Sequence, residues 1–293
     1  MLAGGQSILL KHGDYEALIV TVGAGMCSVK YKDRYISLPH DPDEVPLAHL
    51  GKVLIPWPNR IKNASYEFEG NTYSLAVTEA RTGSASHGFL AWKEWQIEEV
   101  CEDSLILKAY VIPTVGYPFL LESKAYYKVD DGGLSVTLIT KNIGKKFAPY
   151  GVGQHPYITC DKEVLDNCTL HFPCSQVWDM DEKMCPTKLI RASQLNLDFD
   201  KARSLDGVKI DHAFKNDKDP LVLTLKSDKM EVSVTTKAPY VQLFTAEKLL
   251  RKGLAVEPMS CPANAFNSKV GLTVLKPQES HALTYRISAK IFN

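Results

Sequence analysis

The chain has 293 residues, 45% hydrophobic and 23% charged, a balance that suits a globular protein with a large core. Its 34 basic and 34 acidic residues cancel, which argues against a nucleic-acid or anionic-membrane partner. No apolar run reaches the length of a membrane-spanning helix, and the start, Met1-Leu2-Ala3-Gly4-Gly5-Gln6, lacks the basic and apolar regions of a signal peptide.

Strand signals dominate from one end to the other. Residues 17–22 read as a strand, and 66–75 read as a hairpin turning at Gly70-Asn71. Residues 105–112 and 121–129 follow, then the turn Asp130-Asp131-Gly132-Gly133 into alternating Leu134, Val136 and Leu138. Leu221, Leu223 and Leu225 lead through Ser227-Asp228-Lys229 to Met230, Val232 and Val234, a second hairpin. Helical periodicity is nearly absent, and 246–252 has room for a turn or two at most. Residues 283–291 alternate almost without fault, the mark of a half-buried antiparallel strand. With no linker or repeat, the pattern predicts a single all-β domain over residues 1–293, built of stacked antiparallel sheets with few short helices.

The seven cysteines are unevenly spaced. Cys160, Cys168, Cys174 and Cys185 include no CxxC pair, so reduced thiols in a cytoplasmic protein are expected, with no metal site. Asn63-Ala64-Ser65 fits a glycosylation acceptor only if the chain were secreted.

Five stretches break the alternation with residues a strand does not need. Pro56-Trp57-Pro58-Asn59-Arg60 sets a guanidinium, a planar fork of donors, after a stiff loop. Ser86-His87-Gly88-Phe89 sets an imidazole beside a glycine, with Trp92 and Trp95 downstream. Aromatic faces beside polar donors suit a sugar. Gly151-Val152-Gly153-Gln154-His155-Pro156-Tyr157 holds a second imidazole between small residues and a rigid Pro-aromatic pair. Ile210-Asp211-His212-Ala213-Phe214 and Val256-Glu257-Pro258-Met259 each place a carboxylate among apolar neighbours. Such burial raises a carboxyl pKa and makes a better base. Each residue alone also fits a structural role: a satisfied histidine, a surface arginine or a paired acid. Together they form an acid–base constellation.

The ordered set Asn59-Arg60, His87-Gly88, Gly153-Gln154-His155-Pro156-Tyr157, Asp211-His212-Ala213-Phe214 and Glu257-Pro258-Met259-Ser260, followed by Pro262 and Asn264-Ala265-Phe266, resembles the aldose 1-epimerases, or mutarotases. The resemblance implies a large antiparallel β-supersandwich. It implies Glu257 as general base at the anomeric hydroxyl, His155 as general acid at the ring oxygen and His87 as their assistant. Arg60 and Asp211 would bind sugar hydroxyls, with Asn59 and Tyr157 in the same binding set. It implies a monosaccharide partner and neither cofactor nor metal, in a monomer or homodimer.

Two departures bear on the pocket. Ile158-Thr159-Cys160 stands where many members have Phe-Asn-Leu. His87-Gly88-Phe89-Leu90-Ala91-Trp92 lacks the arginine of a sugar-phosphate branch, although Lys93 and Arg81 are nearby. A mutarotase of a free aldose leads. A hexose-6-phosphate mutarotase, a non-catalytic sugar-binding module and a glycosidase using Asp211 and Glu257 are the alternatives.

Overall fold

The computed structural model describes residues 3–292. Two large antiparallel sheets carry the architecture, with smaller ones at their margins. The nine-stranded sheet runs, edge to edge, Gln96–Val100, Ser104–Val111, Leu121–Asp130, Gly133–Asn142, Ser280–Ile291, Met230–Thr236, Leu221–Lys226, Thr169–Phe172 and Phe199–Ser204. Its central strands alternate as their sequences do: along Ser104–Val111 every second residue is buried. The last strand of the chain closes this sheet by pairing Val136 with Tyr285 on one side and Val234 with Ile287 on the other.

The second sheet holds the functional residues. Its order is Pro186–Arg191, Gln176–Met180, Asp211–Lys215, Tyr240–Phe244, Leu254–Met259, Gly153–Gln154 and Val53–Leu54, with Tyr157–Ile158 also pairing Leu254–Met259. All six residues of Leu254–Met259 are buried. A strand covered on both faces shows no alternation, so periodicity does not reveal it in the sequence. Phe214, Val241, Leu243, Leu254 and Val256 join Leu105, Val136 and Ile287 of the other sheet in one apolar core. The opposite face of the eight-stranded sheet is left for chemistry. A four-stranded N-terminal sheet of Ser7–His12, Tyr15–Val20, Gly25–Tyr31 and Arg34–Tyr35 lies beside them.

One local expectation changes and another holds. The early hairpin pairs Phe68 with Asn71, so its turn is Glu69-Gly70 and not Gly70-Asn71. Both turn residues have positive φ, as a two-residue hairpin turn requires, and glycine takes this conformation without strain. The segment 246–252 forms a single 3₁₀ turn, Glu247–Leu249, and the four-residue Ala265–Ser268 is the only α-helix among the described residues. All seven cysteines are free thiols.

Candidate active site

Strand register lines up the central residues. Ala213 is opposite Gln242, and Gln242 is opposite Glu257. Gly153 pairs Met259 and Tyr157 pairs Ala255, so His155, midway between, falls opposite Glu257. These residues make one lateral row across the sheet face that points away from the core. The His155 and Glu257 side chains are only 7% and 3% exposed, and His155 Nε2 is 3.3 Å from Glu257 Oε1. His155 is held from both sides along the backbone: its N–H donates to the Lys52 carbonyl (3.0 Å) and its carbonyl accepts from the Gly51 N–H (2.9 Å). Asp211, two residues before Ala213 on the same face, accepts from Gln242 Nε2 at 2.7 Å.

Loops bring the remaining groups over this row. Arg60–Ile61 pairs with Ala85–Ser86, which carries Arg60 and His87 to the same rim. The Asn59 N–H donates to His87 Nδ1 (3.2 Å), and the His87 N–H donates to the Asn59 carbonyl (2.8 Å). Because Nδ1 accepts, the proton of the neutral His87 ring sits on Nε2 and makes that nitrogen a donor. Gly88 has φ +68, and a Cβ there would collide with the Ile55 carbonyl. The glycine after His87 is therefore a packing requirement. At Gly151 the close approach is the protein's own, since a Cβ would press on Cys261.

Apolar clusters close both ends of the sheet face. Leu38, Leu50, Tyr157, Ala246 and Ala255 form one, and Ala213, Tyr240 and Met259 form the other, with Trp178 packed against it. Between them lies the polar row. His155 Nδ1, Glu257 Oε2 and Gln242 Oε1 are all buried without a hydrogen-bond partner. Buried polar groups ordinarily find partners, so three unpartnered atoms in one row set this part of the sheet apart as a candidate site.

The aldose 1-epimerase family model matches residues 6–288. The chain belongs to the aldose 1-epimerase family. It is 45% identical over 290 residues to the uncharacterized Escherichia coli protein YihR, spanning 98% of this chain and 94% of YihR. Among solved structures it resembles a GalM/aldose epimerase homologue from C. elegans, with TM-score 0.87 and 19% identity over 98% of this chain and all of that one. It likewise resembles a galactose 1-epimerase from Lactobacillus acidophilus, with TM-score 0.85 and 18% identity over 98% and 95% of the two chains. At such identities the structures establish the fold, a large antiparallel β-sandwich of the galactose mutarotase type.

Within this aldose 1-epimerase fold, five of the seven expected site residues lie close together: Arg60, His87, His155, Asp211 and Glu257. The other two serve the frame. The buried Asn59 accepts from Arg60 Nη1 through its side-chain oxygen (3.0 Å) and holds His87 through its backbone. Tyr157 is fully buried behind His155, with ring centroids 5.0 Å apart and nearly parallel, and its hydroxyl donates to the Ala48 carbonyl. Its ring backs the imidazole, and its hydroxyl hydrogen is committed to the protein.

Three neighbours escape a reading of the sequence. Gln242 sits in an ordinary-looking strand. His49 stacks 4.4 Å from His87 and 6.4 Å from His155, between ring centroids, with the partly exposed Trp92 on its other side. Trp95, by contrast, is a core residue. Glu79 receives both Arg60 Nε (2.5 Å) and Nη2 (2.9 Å), and Thr82 as well. Desolvation pushes the Glu79 carboxyl up, but the hydrogen bonds from Arg60 and Thr82 and the Arg60 charge together bring it down to about 2.

A depressed carboxyl contributes stability above its ordinary value near 4.5 that is lost as pH falls toward 2. Glu79→Gln is therefore expected to cost about 1.5–3 kcal/mol at neutral pH, the range for hydrogen bonds to charged groups. The difference from wild type should shrink as pH drops from about 4.5 toward 2. Urea unfolding of both proteins across that window checks this. An unchanged midpoint at pH 7 would show that the pair does not brace Arg60.

Burial also governs the row itself. Desolvation, then the Asp211 charge, push Glu257 well above the usual carboxylate range, against the pull of Arg60. Desolvation, then the neighbouring His49, lower His155 to about 3. His87 falls well below its ordinary value for the same reason, reinforced by His49 and His155. Burial raises Asp211 too, opposed by Arg60 and the Gln242 hydrogen bond. The cleft therefore favours neutral forms. At 3.3 Å, Glu257 Oε1 and His155 Nε2 are close enough for the two groups to titrate as a pair.

Proposed function

We propose that the protein is a mutarotase that interconverts the α and β anomers of a free aldohexose, with the whole chain acting as one unit. The observation that carries this reading is the buried His155–Glu257 pair, 3.3 Å apart, whose outer atoms His155 Nδ1 and Glu257 Oε2 lack protein partners, as does the adjacent Gln242 Oε1. With the proton on His155, Glu257 accepts the proton of the anomeric hydroxyl while His155 donates to the ring oxygen. The C1–O5 bond breaks as the C1–O1 bond becomes a carbonyl. The pair is left as neutral imidazole and protonated carboxyl, which are the forms burial favours. Rotation about C1–C2 presents the other carbonyl face. Reclosure runs the same transfers backward: His155 takes the O5 hydroxyl proton and Glu257 returns one to O1. His87 contributes a neutral Nε2–H donor at the same centre. Arg60 and Asp211 hold ring hydroxyls, braced by Glu79 and Gln242.

Charge in the cleft favours an unphosphorylated sugar. The Arg60 guanidinium is engaged by Glu79, and Lys62 is paired with Asp181 at 2.6 Å. Arg81 is 62% exposed and lies 3.7 Å from Glu79. A phosphate dianion needs cations not already neutralised. Mutarotation of freshly dissolved α-glucose is therefore expected to be at least as efficient, in kcat/KM, as that of its 6-phosphate. A tenfold preference for the phosphate would move the protein to the sugar-phosphate class. Binding of both sugars without acceleration would make it a sugar-binding module.

A further inference from the structure

The eight-stranded sheet continues past His155 to its edge, in the order Asp211–Lys215, Tyr240–Phe244, Leu254–Met259, Gly153–Gln154 and Val53–Leu54. The turn that feeds Val53 therefore lies on the side of His155 away from Asp211, and His49 is on that turn. Its ring centroid is 4.4 Å from that of His87 and 6.4 Å from that of His155, and the indole of Trp92, 47% exposed, is 5.2 Å away. Ala48 and His49 hold positive φ of 51° and 54°, a conformation that costs energy outside glycine and gathers at functional sites. The motif that carries His155 pins this turn. Tyr157 Oη donates to the Ala48 carbonyl (3.2 Å) and Gln154 Nε2 to the Gly51 carbonyl (3.0 Å). The His155 N–H donates to the Lys52 carbonyl (3.0 Å), and the His155 carbonyl accepts from the Gly51 N–H (2.9 Å). Gln154, His155 and Tyr157 together hold His49 against its own backbone preference.

The connectivity of an aldose decides what meets His49. In the mutarotase reading above, Glu257 serves the anomeric hydroxyl on C1 and His155 serves the ring oxygen O5. That oxygen is bonded to C1 on one side and to C5 on the other. With C1 at Glu257 and ring hydroxyls held toward Asp211, C5 falls on the His49 side of His155. Its exocyclic C6 group then projects toward His49 and Trp92. Burial, then the Lys52 charge, lower His49 to about 4, so its partly exposed ring is neutral at pH 7 and offers one donor and one acceptor. A hydroxymethyl group matches this corner, its methylene packing on the indole while its hydroxyl meets the imidazole.

We propose that His49 is a specificity-determining residue that hydrogen-bonds the C6 hydroxyl of the aldose, with Trp92 against the C6 methylene and Tyr157 as the positioning residue that fixes the His49 turn. This rests on the mutarotase reading. Glucose and 6-deoxyglucose, followed by polarimetry, are the probes. Wild-type kcat/KM should be about 3- to 10-fold lower for 6-deoxyglucose, as one lost hydrogen bond would make it. His49→Phe keeps a ring to stack on His87 but has no polar atom. It should lower kcat/KM for glucose by that same factor and leave the two sugars equal within about twofold, because both deletions remove one interaction. A merely structural role would lower both sugars alike and keep the wild-type ratio. Tyr157→Phe frees the Ala48 carbonyl and should narrow the ratio part-way, which supplies a second variant should His49→Phe not fold. Equal wild-type efficiency on the two sugars, or variants that keep the wild-type ratio, would overturn the role of His49 while the mutarotase reading stands. Absence of wild-type turnover on both sugars would overturn that reading, and the role of His49 with it.

Discussion

Glu257→Gln is expected to slow mutarotation by about 10²–10⁴-fold, the contribution typical of a positioned proton-transfer group. The amide keeps the carboxyl's shape and can still meet a sugar hydroxyl, but it cannot accept the O1 proton. Burial makes the substitution mild for the fold. A carboxyl held well above its usual range by desolvation is already close to a neutral group, so a neutral amide adds no new unpaired charge. The variant should therefore fold, bind sugar within a few-fold of wild type, and lose kcat. By contrast, Arg60 and Asp211 variants should weaken KM visibly, because their hydroxyl contacts persist from ground state to transition state. Near-normal turnover in a folded Glu257→Gln protein would remove Glu257 from the mechanism.

His155→Asn should cost a similar factor, for the complementary reason: the amide is polar but cannot deliver a proton to O5 near neutral pH. The same pair determines the pH profile. A carboxylate near 4.5 and an imidazole near 6.5, titrating independently, would confine activity to the gap between those values. Here the one-proton state of the pair extends further at both ends. It gains a second proton only as pH falls toward about 3, where His155 is charged. It loses its single proton only above the raised range of Glu257. The kcat/KM of wild type, which reports the free enzyme, should therefore keep its acid limb well below 6.5. An acid limb at about 6.5 would mean that His155 titrates as an ordinary, exposed histidine.

The polar half of the site was legible because its residues stand where strand logic has no use for them. An arginine after Pro-Trp-Pro, an imidazole before glycine and a glutamate before proline each interrupt an alternating pattern, and all three reach the cleft. The long strands of the nine-stranded sheet were legible for the opposite reason, since one face meets the core and the other meets solvent. What stayed hidden follows from burial on both sides. Leu254–Met259 shows no period because neither of its faces is wet. Gln242 is an inconspicuous strand residue until its register partner is known to be Glu257. Glu79 is one acid among many in a loop until Arg60 folds onto it. Tyr157 misleads because it shares a face with His155, two residues before it, yet its hydroxyl is spent on the Ala48 carbonyl at the apolar end of that face.

Polarimetry on freshly dissolved α-glucose and α-galactose, with and without catalytic amounts of the protein at pH 7, puts the central claim to its most direct test. If the His155–Glu257 pair opens and recloses a free hemiacetal, the approach to the α/β equilibrium should quicken in proportion to protein concentration while the final rotation stays the same. A rate indistinguishable from the protein-free control for both sugars would contradict it.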